Sequence, residues 1–242
     1  MIAVFYAMDG EIGEPLEGFS IKEEILLGER QENKRKRFRG IVRKGAIQGR
    51  EIVLAQTGIW RTGLFGHKGN TQAREVAEYV VERYHPEKIL VVGIGGGMEE
   101  QLKPGALIVC DPVYTEAKCP VFPIFTRTRQ PIHPDEQMTS LAVDVLKERG
   151  VTFYSGGDIQ STGYSWIRKR YPGTKIVEME DYFIAAVAQA RNIPFLAVRV
   201  VSEPYGEKLD TSPEYQALWL ERYLTITTLL RDEFLLPFLQ RL

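Results

Sequence analysis

The sequence predicts an α/β protein with helices covering both faces of a sheet. Short segments that are nearly all apolar, at 2–8, 88–92 and 194–201, read as strands buried on both sides. Segments with helical periodicity alternate with them, at 70–84, 135–149 and 181–191. No composition shift, long linker or internal repeat divides the 242 residues, so a single domain over 1–242 is expected.

The elements follow in order. Residues 2–8 form a first strand, broken by Asp9-Gly10-Glu11. The runs IKEEILLG, FRGIVRKGAIQG and REIVLAQTG place glycines where turns between antiparallel strands need them. In NTQAREVAEYVVERY, Ala73, Val76, Ala77, Val80 and Val81 share one helix face; Asn70 or Thr71 can cap it, and Pro86 ends it. Residues 88–92 lead into GIGGGM, and 106–109 form another strand. The four prolines of 113–134 predict a long loop. Asp135 caps a helix to Arg149, which Gly150 ends. Strands at 151–154 and 175–179, a helix at 181–191 and a strand at 194–201 follow. The last 30 residues read as an amphipathic helix with Tyr215, Leu218, Trp219, Tyr223 and Leu224 on its apolar side.

Composition removes several function classes. Thirty-one Lys and Arg against 32 Asp and Glu give a net charge of −1, unlike a globally basic nucleic-acid binder. Two cysteines, Cys110 and Cys119, are too few for a disulfide scaffold or a thiolate zinc site. His67, His85 and His133 show no metal-ligand spacing, so no metal and no cofactor is expected. The N-terminus lacks a basic leader region, and no apolar run approaches a membrane span; the expectation is a cytoplasmic protein without a membrane partner. The run 30–44 carries eight Lys or Arg and one Glu, leaving −8 for the rest of the chain. It reads first as a solvated turn between strands; nucleic acid is the lesser reading, because only Phe38 offers a stacking surface there.

Chemistry concentrates at strand ends. GIGGGM lacks the sixth glycine and the following helix of a dinucleotide fingerprint. Its glycines fit either a tight turn or the floor of a small-molecule pocket. VEMED carries Glu178 and Glu180 at the end of a strand, before a helix, where one of them could face a pocket. VRVVSEP carries Arg199 in an apolar strand, costly unless a carboxylate from a neighbouring strand end pairs with it. With Glu11 and Glu203, these residues suit acid–base work on a small polar substrate. Ordinary surface charges are the alternative.

Taken in order, the segments IAVFYAMDGEIG, VLAQTGIWRTG, ILVVGIGGGMEEQLKPGALIV, GGDIQSTG and IVEMEDYFIAAVAQARNIPFLAVRVVSEP resemble the nucleoside phosphorylase superfamily, and within it the methylthioadenosine/S-adenosylhomocysteine nucleosidases. The resemblance covers nearly the whole chain. It implies a single α/β domain around a central mixed β-sheet, acting on a nucleoside without a cofactor, as a homodimer or larger homo-oligomer. It implies Glu11 as the water-activating base and Arg199 as the residue holding water and carboxylates in place. Glu180 falls where the ribose hydroxyls are bound, beside Glu178, with Met179 under the sugar. Gly95 and Gly96 fall beside base and ribose, Gln160 and Ser161 near the base-facing segment, and Glu203 where an aspartate meets purine N7.

Hydrolysis of a purine or modified purine nucleoside is therefore expected. A phosphorylase using phosphate and a non-catalytic nucleoside binder are the alternatives. MDGE stands where phosphorylases carry Gly-Asp-Pro, and Glu11 would repel phosphate, although Arg61 or the basic run offers another cradle. The chain also departs from the nucleosidases: Glu203 replaces the aspartate, Ile94 a serine and Gln160 a phenylalanine. These departures bear on the substrate more than on the fold.

Overall fold

A computed structural model describes residues 1–7, 10–12, 16, 18–32, 35–57, 69–118, 126–128, 130–160, 171, 173–207 and 212–242; for 28–32, 35–39, 69–71, 116–118, 126–128 and 160 it describes the backbone alone. The strands are β1 (Ile2–Tyr6), β2 (Phe19–Glu32), β3 (Arg35–Ile47), β4 (Arg50–Gln56), β5 (Lys88–Gly97), β6 (Leu107–Lys118), β7 (Thr126–Thr128), β8 (Phe153–Gln160), β9 (Thr174–Glu178) and β10 (Phe195–Glu203). The helices are α1 (Gly69–Tyr84), α2 (Glu136–Arg149), α3 (Asp181–Ala190) and α4 (Pro213–Leu229). A π-helical turn, Leu230–Leu235, joins α4 to α5 (Leu236–Arg241).

The sheet is mixed. Its path runs β10-β6-β8-β9-β5-β1-β4-β3-β2, and β10 also pairs with β5. Strands β5, β10, β6, β8 and β9 thus close into a ring, from which β1, β4, β3 and β2 extend as a wing. Strand β5 belongs to both parts. Its parallel pairing with β10 sets Arg199 beside Gly93 and Glu203 beside Gly96.

Side chains along the central strands alternate between two apolar layers. Ala3 and Phe5 of β1 face a layer with Val76, Ala77 and Val80 of α1 and Ile184, Ala185 and Ala188 of α3. Ile2, Val4 and Tyr6 face the other, with Met138 and Leu146 of α2 and Ile226, Leu230, Phe234 and Phe238 of the C-terminal helices. Both faces are covered, as expected. Helix α2 has the expected ends: Asp135 Oδ1 accepts from Met138 N at 2.9 Å, and Gly150 adopts φ +66°.

Three expectations change. The glycine run is not a turn; β5 continues through it to Gly97. The 113–134 region is not all loop, because pairing with β8 carries β6 on to Lys118 and β7 adds a short ladder. The C-terminal helix buries Tyr223, Ile226 and Thr227, while Leu218 and Leu224 are exposed. The basic run lies in the β2–β3 hairpin, whose strands pair from Phe19↔Ile47 to Glu32↔Arg35. Among the described residues no helix is long and apolar enough to cross a membrane.

Candidate active site

Arg199 is the centre of the cluster. It lies in β10, 1% exposed, with apolar neighbours on both sides in sequence. Its Nε donates to Asp181 Oδ2 at 2.9 Å and its Nη2 to Asp181 Oδ1. Nη2 also donates to Glu178 Oε2 at 3.2 Å and lies 3.6 Å from Glu180 Oε2, while Nη1 donates to the Ile94 carbonyl at 3.3 Å. Gly93 makes this possible: a Cβ there would overlap Nη1.

Glu178 and Glu180 meet one guanidinium at the junction of β9 and α3. Glu178 ends β9, whereas Glu180 is the N-cap residue of α3. Glu178 Oε2 also accepts from the backbone N–H groups of Glu180 and Asp181, the latter at 2.8 Å, and so serves the open end of α3. Met179, half-buried, sits between the two glutamates.

Glu11 approaches from the turn after β1. Its Oε2 accepts from Ala7 N at 2.6 Å and its Oε1 from Ile94 N at 3.4 Å. The same carboxylate oxygen would lie 3.2 Å from a Cβ on Gly93. Burial raises the Glu180 carboxyl to about 7 against the pull of Arg199, and Glu11 and Asp181 add to the rise. Burial and Asp181 likewise hold Glu178 well above the carboxylate range. Burial alone would lower Arg199, but Asp181 and Glu178 keep it protonated.

Glu203 closes β10, three register positions beyond Gly93, or roughly 10 Å along the strands. Ser202 Oγ donates to its Oε2 and Trp219 Nε1 to its Oε1 at 2.9 Å. Gly95 and Gly96 run between these two ends. At Gly95 a Cβ would come within 2.7 Å of Ile176 Cγ1 and 2.9 Å of the Val177 carbonyl.

The fold thus brings Glu11, Glu178, Glu180 and Arg199 together, and strings Gly95, Gly96 and Glu203 along the same strand pair. Gln160 ends β8 in register with Glu178, its backbone alone described. Ser161, Arg61, His67 and Cys119 lie outside the described residues.

Asp181 and Asp158 are absent from the sequence-level site. Asp181 reads there as the start of a helix, although a buried arginine needing several acceptors points to every acid in VEMED. Asp158, in GGDIQ, is fully buried, and among the described residues no hydrogen-bond donor reaches either oxygen. Burial, with Glu178 and Asp181 nearby, holds its carboxyl well above the usual range. Cys110, Asp158 and Asp181 place one donor atom each within 4.8 Å of one another. Both Asp181 oxygens already serve Arg199, so a proton held by Asp158 accounts for this cluster more simply than a cation.

A family model described as the phosphorylase superfamily matches residues 1–225. The chain belongs to the phosphorylase superfamily. A 5'-methylthioadenosine/S-adenosylhomocysteine nucleosidase of Glaesserella parasuis serovar 5 is 28% identical over 194 residues, covering 74% of this chain and 80% of that protein. One from Listeria welshimeri serovar 6b is 30% identical over 179 residues, covering 66% and 71%. Among solved structures, a futalosine hydrolase mutant of Helicobacter pylori strain 26695 superposes with a TM-score of 0.73 at 21% identity, covering 100% and 99% of the two chains. The Neisseria meningitidis 5'-methylthioadenosine/S-adenosylhomocysteine nucleosidase, in complex with methylthio-immucillin-A, also gives 0.73, at 18% identity and the same coverage. Both likenesses extend over the whole of this chain's mixed α/β fold.

Proposed function

We propose that this chain is a nucleosidase that hydrolyses the N-ribosidic bond of a purine or modified purine nucleoside. Charge carries this reading. Among the described residues of the cluster, Glu178, Glu180 and Asp181 face one arginine and Glu11 lies beside Gly93 next to it, so the acids outnumber the single cation. Such a site repels phosphate and attracts the positive charge that builds on C1′ as the base departs.

Each group then has a task. Glu11 takes a proton from a water that attacks C1′. The electrons of the C1′–N bond leave with the base, and the Glu203 carboxyl passes a proton to N7 so that the base departs neutral. Glu180 accepts from the ribose hydroxyls while Arg199 keeps the carboxylates in place, and Met179 lies under the sugar. The relatives' names favour methylthioadenosine and S-adenosylhomocysteine as substrates, and the futalosine hydrolase likeness adds futalosine.

Purified protein incubated in phosphate-free buffer with methylthioadenosine, S-adenosylhomocysteine, adenosine, inosine or futalosine should release free base from at least one. A requirement for added phosphate would make it a phosphorylase, and no release under either condition would remove the enzymatic reading.

A further inference from the structure

Helix α4 reaches the site with one face. Trp219 donates its indole N–H to Glu203 Oε1 at 2.9 Å. One turn later Tyr223, which is buried, stacks on the Trp219 ring with centroids 5.1 Å apart and planes 21° apart. Tyr223 in turn lies over the turn that carries Glu11: a Cβ on Gly10, at φ +84°, would sit 3.4 Å from Tyr223 Cε1. Between them Arg222 Nη1 donates to the Ser202 carbonyl at 3.3 Å and pairs with Glu207 at 2.7 Å. One helix face therefore touches both Glu203 and the residue before Glu11.

A glutamate at the end of a strand has three rotatable bonds, and ordering it costs side-chain entropy. An indole fixed by stacking is rigid and has a single donor. Donors from Ser202 and Trp219 reach one oxygen each, and each oxygen keeps a further lone pair for a ligand. We propose that Trp219 is a positioning residue for Glu203: its indole, seated on Tyr223, fixes that carboxylate at the distance from Glu11 that the leaving base requires. This rests on the nucleosidase reading for the role of Glu203, but the contact itself can be measured without turnover.

The chain has three tryptophans, so its NMR spectrum carries three indole N–H signals. Trp219→Phe keeps a ring and removes one signal, which assigns it. That signal should move in Glu203→Asp, because the carboxylate retreats by about 1.5 Å. On the substrate that turns over, Trp219→Phe should lower kcat roughly 10-fold, the scale of one hydrogen bond to a charged group, with a smaller change in KM. In the Glu203→Asp background the same substitution should cost less than about 2-fold, because the two act as a unit. An indole signal indifferent to Glu203→Asp overturns the proposal, and so does an equal kcat loss in both backgrounds. If no nucleoside releases base, the nucleosidase reading falls, while the indole signal still decides whether Trp219 holds Glu203.

Discussion

A guanidinium 1% exposed needs acceptors on several sides, and Arg199 has them from Asp181, Glu178, Glu180 and the Ile94 carbonyl. Two neighbouring aspartates should therefore behave in opposite ways. Asp181→Asn removes the charge that faces Arg199 and should cost about 3 kcal/mol or more in urea denaturation. Asp158→Asn replaces a protonated acid with an amide of equal size and should stay within about 1 kcal/mol of the parent. A large loss at Asp158→Asn would mean that the residue is ionised in the folded protein. Gly93→Ala pushes a methyl into Arg199 Nη1, and displacing that side chain by about 1 Å should lower kcat on the order of 10²-fold while the protein still folds. Glu11→Gln keeps the shape of the side chain and removes the proposed base. It should lower kcat by about 10² or more with nucleoside binding retained, measured by calorimetry against turnover.

At the scale of elements, one consequence of the packing separates two neighbouring positions of α4. Ile226 is buried against the sheet and Leu224 is 56% exposed. Ile226→Ala should cost roughly 2–5 kcal/mol and Leu224→Ala within about 0.5 kcal/mol, read from chemical denaturation. The sequence misplaces this face, because Leu218 and Leu224 are as apolar as the residues that pack. Which side of a helix is buried depends on the turn that brings it to β10, and here Trp219, Arg222 and Tyr223 make that contact. Elements with strong local signals are legible: Asp135 and Gly150 bound α2, and the apolar runs of β1, β5 and β10 need no tertiary information. The glycines of β5 are not legible as strand, because glycine has no preference for it. They are there because Arg199 and Ile176 cross where side chains would be, which only pairing reveals. Glu11, Arg199 and Glu180 emerge as a set from resemblance and strand-end position. Asp181, next to Glu180 in the chain, is within reach of the same signal, whereas Asp158 and Trp219 lie in separate segments that join the site only once the sheet has closed.

For the whole molecule, the balanced net charge of −1 conceals a buried imbalance: Glu11, Asp158, Glu178, Glu180 and Asp181 lie within the fold around one arginine. Burying several carboxylates against one cation is costly if all are ionised, and protons are the simplest remedy. Burial raises Glu180 to about 7 and holds Glu178 and Asp158 well above the carboxylate range. The unfolded chain releases these protons near the ordinary carboxylate value, so above it the native state binds more protons than the unfolded state. The contribution of these groups to stability should then be greatest below that value and decline as pH rises toward and through 7. Glu180 alone accounts for about 3 kcal/mol of this decline by pH 8. Urea midpoints measured from pH 5 to pH 8 should fall accordingly. Glu180→Gln, which keeps an acceptor for Arg199 and cannot ionise, should flatten the decline and exceed the parent in stability at pH 8. An unchanged slope in that variant would mean that Glu180 is ionised across the whole range. Its proposed ribose-binding role would then carry no pH dependence, whereas a carboxyl half-protonated near 7 should give kcat/KM an acid limb with an apparent pKa close to that value.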